Sequence, residues 1–192
     1  RIYDLEWLAG DSVFRHLTGG AVPSVDVMYD DLRRLLPEDL EELEAMISRQ
    51  GLEALSGRKV DEVTIDIDTT VLPLFGNQEY AVPGPNPKYK GRPSYHPILA
   101  RIAETGTVLG ARLRPGDTSL GELDTEDLEQ WIDRLRETVG DDTVITARID
   151  AGGDSSAILR ALHAKGVHFV VKAKQTANLL TGDAQKKLAH RR

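Results

Sequence analysis

Two acidic side chains stand in a segment that is otherwise typical of a buried strand. Residues 63–72 read VTIDIDTTVL, and their β-branched, period-two pattern predicts a strand. The alternation places Asp66 and Asp68 on one face, with Ile65 and Ile67 on the other. Because two carboxylates on one face repel each other, a divalent cation, which prefers oxygen ligands, would explain their presence. The alternative is a wet face on which both acids are simply solvated.

A further aspartate, Asp150, closes a second apolar strand pattern at residues 143–150, with Gly152 and Gly153 after it. In open α/β sheets, sites form at the carboxyl ends of strands. If this strand is the parallel neighbour of the strand carrying Asp68, both acids could share a pair of metal ions about 3.5–4 Å apart, the arrangement used for phosphoryl displacement. Taken alone, Asp150 is also typical of a helix cap or a turn.

Basic side chains gather at two places that suit contact with a nucleic acid. The first group is Lys88, Lys90, Arg92 and His96. It surrounds a loop rich in Pro and Gly, residues 83–93, with Tyr89 and Tyr95 interleaved. Basic and aromatic side chains together suit phosphates and unstacked bases, although an ordinary basic loop is the alternative. The second group, Lys172 and Lys174, follows the last predicted strand and is placed to reach phosphates near the acids.

The elements that must position these residues follow one another in an informative order. Residues 1–58 show helical periodicity, which predicts a helical N-terminal arm. After it come a strand, an antiparallel hairpin, a helix, a strand, a helix and a strand. This order predicts an α/β fold, a ribonuclease-H-like mixed sheet in which the first and fourth strands are neighbours. We expect residues 59–176 to form this domain, incomplete as it stands, and residues 177–192 to be a basic tail or a truncated continuation.

The composition excludes several classes of protein. The 192 residues contain no cysteine, so a disulfide scaffold, a cysteine-based zinc site and a cysteine nucleophile are excluded. No apolar run approaches the roughly 18 residues of a membrane-spanning helix, and nothing near Arg1 is typical of a signal peptide, so we expect a cytoplasmic protein. The net charge of −7 argues against a simple DNA-coating protein, although residues 141–192 hold 9 basic and 5 acidic side chains.

A competing interpretation comes from residues 66–70 (DIDTT), which match the Asp-x-Asp-x-Thr signature of haloacid-dehalogenase-like phosphatases. In those enzymes the first aspartate is the nucleophile and the second is a general acid and base. Two features disagree with this hypothesis. A helix, where the phosphatases have a strand, precedes residues 140–142 (GDD), the candidate for their later acidic motif. The lysines between the two motifs, Lys88 and Lys90, lie in the Pro/Gly loop rather than at the start of a helix.

A larger set of segments resembles the DDE transposases of bacterial insertion sequences, and within them the family numbered thirteen-eighty. The matching segments are residues 65–70 (IDIDTT), 91–97 (GRPSYHP), 102–106 (IAETG), 112–116 (RLRPG), 148–152 (RIDAG) and 166–174 (GVHFVVKAK). Residues 14–17 (FRHL) and 22–24 (VPS) are similar as well. The resemblance covers most of the chain, and the ordered set is more specific than any single motif.

The resemblance implies a ribonuclease-H-like catalytic domain that uses two Mg²⁺ or Mn²⁺ ions for DNA strand cleavage and transfer. By this likeness Asp68 and Asp150 are the first and second catalytic acids and metal ligands. Asp66 is not carried over from the family, but it lies on the same strand face as Asp68, and we expect it to support the metal. The implied partners are the ends of the mobile element and target DNA, with a homodimer as the active full-length assembly. We expect the protein in the bacterial cytoplasm, associated with the nucleoid.

The sequence departs from this family at the third catalytic acid. The family has a glutamate on a later helix, whereas no glutamate follows Glu137, and Ala151 and Gly153 replace the residues usual after the second aspartate. We therefore expect a truncated or decayed copy with an incomplete two-ion site, unable to cleave DNA. A remnant that binds DNA without catalysis is the alternative function, ahead of the phosphatase.

Overall fold

The computed structural model describes residues 4–57, 60–86, 88–150, 152 and 154–172. Its α-helices are α1 (Asp4–Leu8), α2 (Ser12–Leu17), α3 (Val25–Arg34), α4 (Pro37–Glu53), α5 (Thr125–Val139) and α6 (Ser156–Ala164). Its strands are β1 (Glu62–Thr69), β2 (Leu72–Pro73), β3 (Val82–Pro83), β4 (Pro93–Tyr95), β5 (Ile98–Ile102), β6 (Val108–Arg112), β7 (Val144–Ile149) and β8 (His168–Val171). A short 3-10 helix, Glu122–Asp124, precedes α5.

The described residues form two compact units that divide within α4, between Ala45 and Met46. In the first unit, Ser24 caps α3 because its hydroxyl oxygen accepts a hydrogen bond from the backbone N–H of Val27 at 3.3 Å. The helical character predicted for this part of the chain is confirmed, while the boundary at residue 58 stays a prediction. Within the described part of the chain, no helix has the length and apolar character needed to cross a membrane.

The second unit contains a five-stranded sheet with the order β6-β5-β1-β7-β8. Strand β1 lies at its centre, antiparallel to β5 and parallel to β7. Strands β5 and β6 form the predicted hairpin, and β7 and β8 are parallel. The predicted ribonuclease-H-like mixed sheet is therefore confirmed, including the neighbouring positions of its first and fourth long strands. The antiparallel pairing argues against the phosphatase hypothesis, which an all-parallel sheet would have favoured.

One face of this sheet forms the core, and it is the face that the alternation in β1 predicts. Val63, Ile65 and Ile67 are buried, whereas the two residues between them are half-buried. Helix α5 packs against the same core through an apolar stripe that includes Trp131. Gly110 permits this close approach, because a Cβ atom there would lie only 2.1 Å from the Trp131 ring.

The structure corrects the prediction between residues 70 and 97. Strand β1 ends at Thr69 rather than at residue 72, and the next long strand, β5, begins at Ile98. A small second sheet with the order β2-β4-β3, which we did not predict, has two of its strands at the two ends of the predicted loop 83–93 and the third at the end of the predicted strand 63–72. Each of these strands has only two or three residues and includes a proline, which has no backbone N–H to donate. Strands this short leave no periodic pattern in the sequence.

A buried ion pair connects the segment after β6 to the start of α5. The Arg114 Nη1 atom donates to Asp124 Oδ1 at 2.6 Å, and the two side chains are 6% and 2% exposed. The second oxygen of Asp124 accepts from the backbone N–H of Gly121 at 2.8 Å. Arg114 Nε also donates to the backbone oxygen of His96, which lies between β4 of the small sheet and β5 of the large one. The ion pair therefore stabilises the connection between the two sheets.

Candidate active site

Asp68 and Asp150, which we call the carboxylate pair, lie at the carboxyl ends of neighbouring parallel strands. The register of β1 and β7 ends with Ile67 opposite Ile149, and each of these isoleucines is followed directly by one of the two aspartates. Both isoleucines are buried and both aspartates are exposed, so the aspartates share the face opposite the core. Because neighbouring strands lie about 4.8 Å apart, this register brings the two acids side by side.

Each carboxylate of the pair is oriented by the backbone that follows it. Asp68 Oδ1 accepts a hydrogen bond from the N–H of Thr69, and Asp150 Oδ1 accepts one from the N–H of Gly152, both at 2.8 Å. No ion pair between described residues involves either acid. Neither carboxylate therefore has a cationic partner in the described part of the chain.

The carboxylate pair opens into a groove of about 900 Å³ on the exposed face of the sheet. Its charged lining consists of Asp66, Asp68, Arg101, Arg148, Asp150 and Lys172. Lys172 thus lies in the same groove as the acids, next to the end of β8. Lys174, which the sequence groups with it, lies outside the described residues.

Asp66 lies on the same face as Asp68, as the alternation predicts, but two arginines engage it. Arg148 Nε and Nη2 donate to Asp66 Oδ1 and Oδ2 at 2.6 and 2.8 Å, and Arg101 Nη2 donates to Oδ2 at 3.4 Å. These three residues, the cross-strand triad, face one another because Asp66 is in register with Arg101 on β5 and with Arg148 on β7. The two arginines and one aspartate of the triad together carry one net positive charge.

The triad also changes the proton affinity of its members. The hydrogen bond from Arg148 holds the pKa of the Asp66 carboxyl below its ordinary value, helped by the charges of Arg148 and Arg101 and opposed by partial burial. The same hydrogen bond, together with the charge of Asp66, raises the pKa of Arg148. The Asp66 carboxylate is therefore already bonded to cationic side chains, whereas among the described residues Asp68 and Asp150 accept hydrogen bonds only from the backbone.

The donor set of the groove fits a hard divalent cation in its chemistry, because Asp68 and Asp150 present carboxylate oxygens on one face. It provides two ligands rather than three. Among the described residues, no group of three His, Asp or Glu side chains is arranged to hold a metal ion. The expectation that the third catalytic acid is missing from this chain stays a prediction.

The model of one protein family, described as “Transposase DDE domain group 1”, matches residues 20–191. This range covers most of the chain and includes both members of the carboxylate pair. The chain belongs to this transposase family. Its closer assignment to the insertion-sequence family numbered thirteen-eighty stays a prediction. No curated protein is similar enough in sequence to count as a match.

Several solved structures are similar to this transposase domain. They include a Mos1 mariner paired-end complex with Mn (TM-score 0.40, 12% identity, 98% of this chain and 64% of that chain covered). A Drosophila P element transposase strand transfer complex has TM-score 0.40 and 10% identity, with 91% and 41% covered. A simian T-cell lymphotropic virus intasome has TM-score 0.34 and 9% identity, with 71% and 43% covered. The chain thus spans less than two thirds of the length of each.

The basic loop of the transposase domain, Lys88 to Arg92, lies between strands β3 and β4 of the small sheet and does not line the groove. Lys88 and Lys90 are exposed, and the Lys88 Nζ atom lies 5.4 Å from the centre of the Tyr89 ring. The guanidinium of Arg92 lies 4.3 Å above the centre of the Phe75 ring. Cationic and aromatic side chains therefore lie next to one another in this loop, as the sequence predicts, and a role of the loop in DNA binding stays a prediction.

His96 is part of the connection between the two sheets rather than of the basic loop. Its Nδ1 atom lies 2.6 Å from the backbone oxygen of Thr118, and its backbone N–H donates to the oxygen of Arg114 at 2.8 Å. The ring is half-buried. A contact between His96 and DNA stays a prediction, and a role in packing is what these contacts establish.

Sequence reasoning missed Arg101, Arg148 and Phe75. Arg148 stands in a segment that carries the family resemblance, two residues before Asp150, just as Asp66 stands two residues before Asp68. Once β1 and β7 are placed as parallel neighbours, these equal offsets predict that Asp66 and Arg148 face each other. The signal was therefore present but needed the strand register. Phe75 lies in a segment without periodicity and offered no comparable signal.

Proposed function

We propose that this chain is the catalytic part of a transposase that cleaves and transfers DNA strands at the ends of a mobile element. The observation that carries the proposal is the carboxylate pair. Asp68 and Asp150 directly follow the last paired residues of β1 and β7, are exposed in one groove, and have no cationic partner among the described residues. Family membership supports the same conclusion independently of the geometry.

In this proposal Asp68 and Asp150 hold divalent ions, Mg²⁺ or Mn²⁺, through their carboxylate oxygens. When bound, such ions act as Lewis acids that stabilise the negative charge developing on phosphate oxygens during cleavage. The backbone N–H groups of Thr69 and Gly152 fix one oxygen of each carboxylate, so both side chains are oriented before a metal binds. Lys172, in the same groove, places a positive charge where a DNA phosphate enters.

The DNA partners follow from the distribution of positive charge. Lys88 and Lys90 are exposed and Arg92 beside them is half-buried, and together they form a basic surface outside the groove, suited to the backbone of duplex DNA. We propose that this surface and the groove contact the element end and, later, target DNA. An active assembly that contains two copies of the full-length protein, at the bacterial nucleoid, belongs to the same proposal.

A second candidate function is a remnant that binds DNA without a metal-dependent step. It is favoured by one observation: in the described residues, only two acids of the expected three stand together. The two candidates differ in whether the carboxylate pair binds a metal. A metal titration therefore separates them without an assay of transposition.

The test is calorimetric titration of the 192-residue chain with Mn²⁺. We expect Asp68→Asn and Asp150→Asn each to weaken Mn²⁺ binding by about tenfold or more, since each removes a ligand. Asp142→Asn is the matched control, because it makes the same charge change in an exposed turn at the other end of β7. Binding that is equally weak in all three variants and the unmodified chain would contradict the catalytic proposal and favour the remnant.

Cleavage is a separate prediction. Because no glutamate follows Glu137, we expect no nicking of a labelled duplex by the 192-residue chain in Mn²⁺. Metal-dependent nicking that Asp68→Asn abolishes would show that the site is complete, and would contradict the expectation of an incomplete one while supporting the catalytic function.

A further inference from the structure

We propose that Arg148 binds a backbone phosphate of the DNA strand in the groove, and that Asp66 is the positioning residue that holds Arg148 there. This inference rests on the proposed function, since it requires DNA to enter the groove. It gives Asp66 a role different from the metal support expected from its position on the same face as Asp68. The argument depends on how the three side chains of the triad are bonded and on where they lie relative to the carboxylate pair.

Asp66 is bonded in a way that suits an anchor better than a metal ligand. Both of its oxygens accept charged hydrogen bonds from Arg148, at 2.6 and 2.8 Å, and one oxygen also faces Arg101. Such two-pronged arginine–carboxylate contacts fix the plane of the guanidinium as well as its position. A metal ion at Asp66 would have to displace these contacts and would sit beside two positive charges.

Arg148 keeps the donors that a phosphate needs. Its Nε and Nη2 atoms face Asp66, and its Nη1 atom has no acceptor among the described residues. The side chain is 56% exposed and lines the groove. A planar guanidinium with free N–H groups is well suited to phosphate oxygens, which it binds with more directional contacts than a lysine makes. The anchoring also reduces the conformational entropy that Arg148 would lose on binding.

The triad stands immediately beside the carboxylate pair. Asp66 and Arg148 each precede a member of the pair by two residues, so the triad and the pair form consecutive rungs on one face of β1 and β7. Two residues along a strand correspond to about 6–7 Å. The groove therefore presents a rung with net positive charge next to a rung of two carboxylates. A phosphate held at the first rung brings the neighbouring part of the DNA strand to the second.

The alternative is an ordinary exposed ion pair, which would contribute little to stability and nothing to DNA binding. The chain offers a matched control for this alternative. Arg112 also donates to an aspartate, Asp127 of α5, with its Nε atom 3.0 Å from Asp127 Oδ2. Arg112 is in register with the buried residue Ile98, so it points to the core side of the sheet, away from the groove.

The experiment measures the affinity of the 192-residue chain for a short fluorescent DNA duplex of arbitrary sequence over a series of salt concentrations at constant Mg²⁺. In a plot of log affinity against log salt, we expect Arg148→Gln to reduce the slope by about one, the loss of one phosphate contact. Arg112→Gln removes the same charge and should leave the slope unchanged. Thermal melting of both variants shows whether either change reflects unfolding.

Asp66→Asn supplies the test of positioning. Removing a negative charge should strengthen DNA binding if only long-range electrostatics matter, as we expect for Asp142→Asn. If Asp66 positions Arg148, Asp66→Asn weakens binding and lowers the slope despite the favourable change in charge. An unchanged slope in Arg148→Gln, or tighter binding by Asp66→Asn, would overturn this inference while leaving the metal titration intact. Failure of the unmodified chain to bind the duplex would instead contradict the DNA-binding proposal, and this inference with it.

Discussion

Two arginine–aspartate pairs in this protein have the same chemistry but different surroundings. Arg114 and Asp124 are almost fully buried between the start of α5 and the segment after β6, whereas Arg148 and Asp66 lie 56% and 23% exposed in the groove. The shortest N···O distance is 2.6 Å in both. Geometry alone therefore does not separate a pair that holds the fold together from one that is available to a ligand. The surroundings do, because only the exposed pair can exchange its contacts without leaving a charge in the protein interior.

The largest effect is expected when the buried pair is broken. Asp124→Ala should lower the free energy of unfolding by about 3–5 kcal/mol, because the positive charge of Arg114 would remain buried without its partner. Urea unfolding followed by the fluorescence of Trp131, which is buried against the sheet, measures this loss. Replacing both partners with apolar residues, Arg114→Met with Asp124→Leu, should recover much of it. A loss below about 1 kcal/mol in Asp124→Ala would show that the pair is not a structural connection.

A smaller effect on stability is expected in the groove. Arg148→Gln should lower the free energy of unfolding far less than Asp124→Ala does, since solvent screens an exposed ion pair and leaves it little net stabilisation. The same urea titration provides the measurement, so the two pairs are compared under one set of conditions. A loss as large as that of Asp124→Ala would mean that Arg148 is a structural residue, and the comparison between the two pairs would fail.

The smallest effect concerns pH. Because the pKa of Asp66 is lowered in the folded protein, the stability that its contacts contribute is fully present above the ordinary carboxyl pKa of about 3.9. It is lost as the pH falls through the lower pKa of the folded state. The difference in unfolding free energy between the unmodified chain and Asp66→Asn should thus be constant from pH 7 to about pH 5 and shrink below about pH 4. A difference that shrinks instead near neutral pH would contradict this sign.

Much of the architecture could be predicted from the sequence because its long elements are periodic. The alternation around Ile65 and Ile67 identifies the central strand and its two faces, and the order of strands and helices predicts that β1 and β7 are parallel neighbours. The carboxylate pair follows from these two predictions together. The small sheet could not be predicted in the same way, because strands of two or three residues such as Leu72–Pro73 contain no full period.

The side chains that bind Asp66 could not be predicted from the sequence either. An acid on a strand face has the same pattern whether it binds a metal or an arginine, and the distinction lies in what the neighbouring strands place opposite it. Only the registers of β1 with β5 and with β7 bring Arg101 and Arg148 to Asp66. The interpretation of Asp66 as metal support came from its proximity to Asp68, and the contacts of the triad favour an anchoring role.

The central claim is that the carboxylate pair, and not the triad, binds the divalent ion. Paramagnetic broadening of backbone amide NMR signals by substoichiometric Mn²⁺ tests it most directly in this 21.2 kDa chain. We predict that broadening is strongest at the amides around Asp68 and Asp150, persists in Asp66→Asn and disappears in Asp68→Asn. Broadening centred on the acidic first turn of α4, or broadening that survives in Asp68→Asn but is lost in Asp66→Asn, would contradict the account.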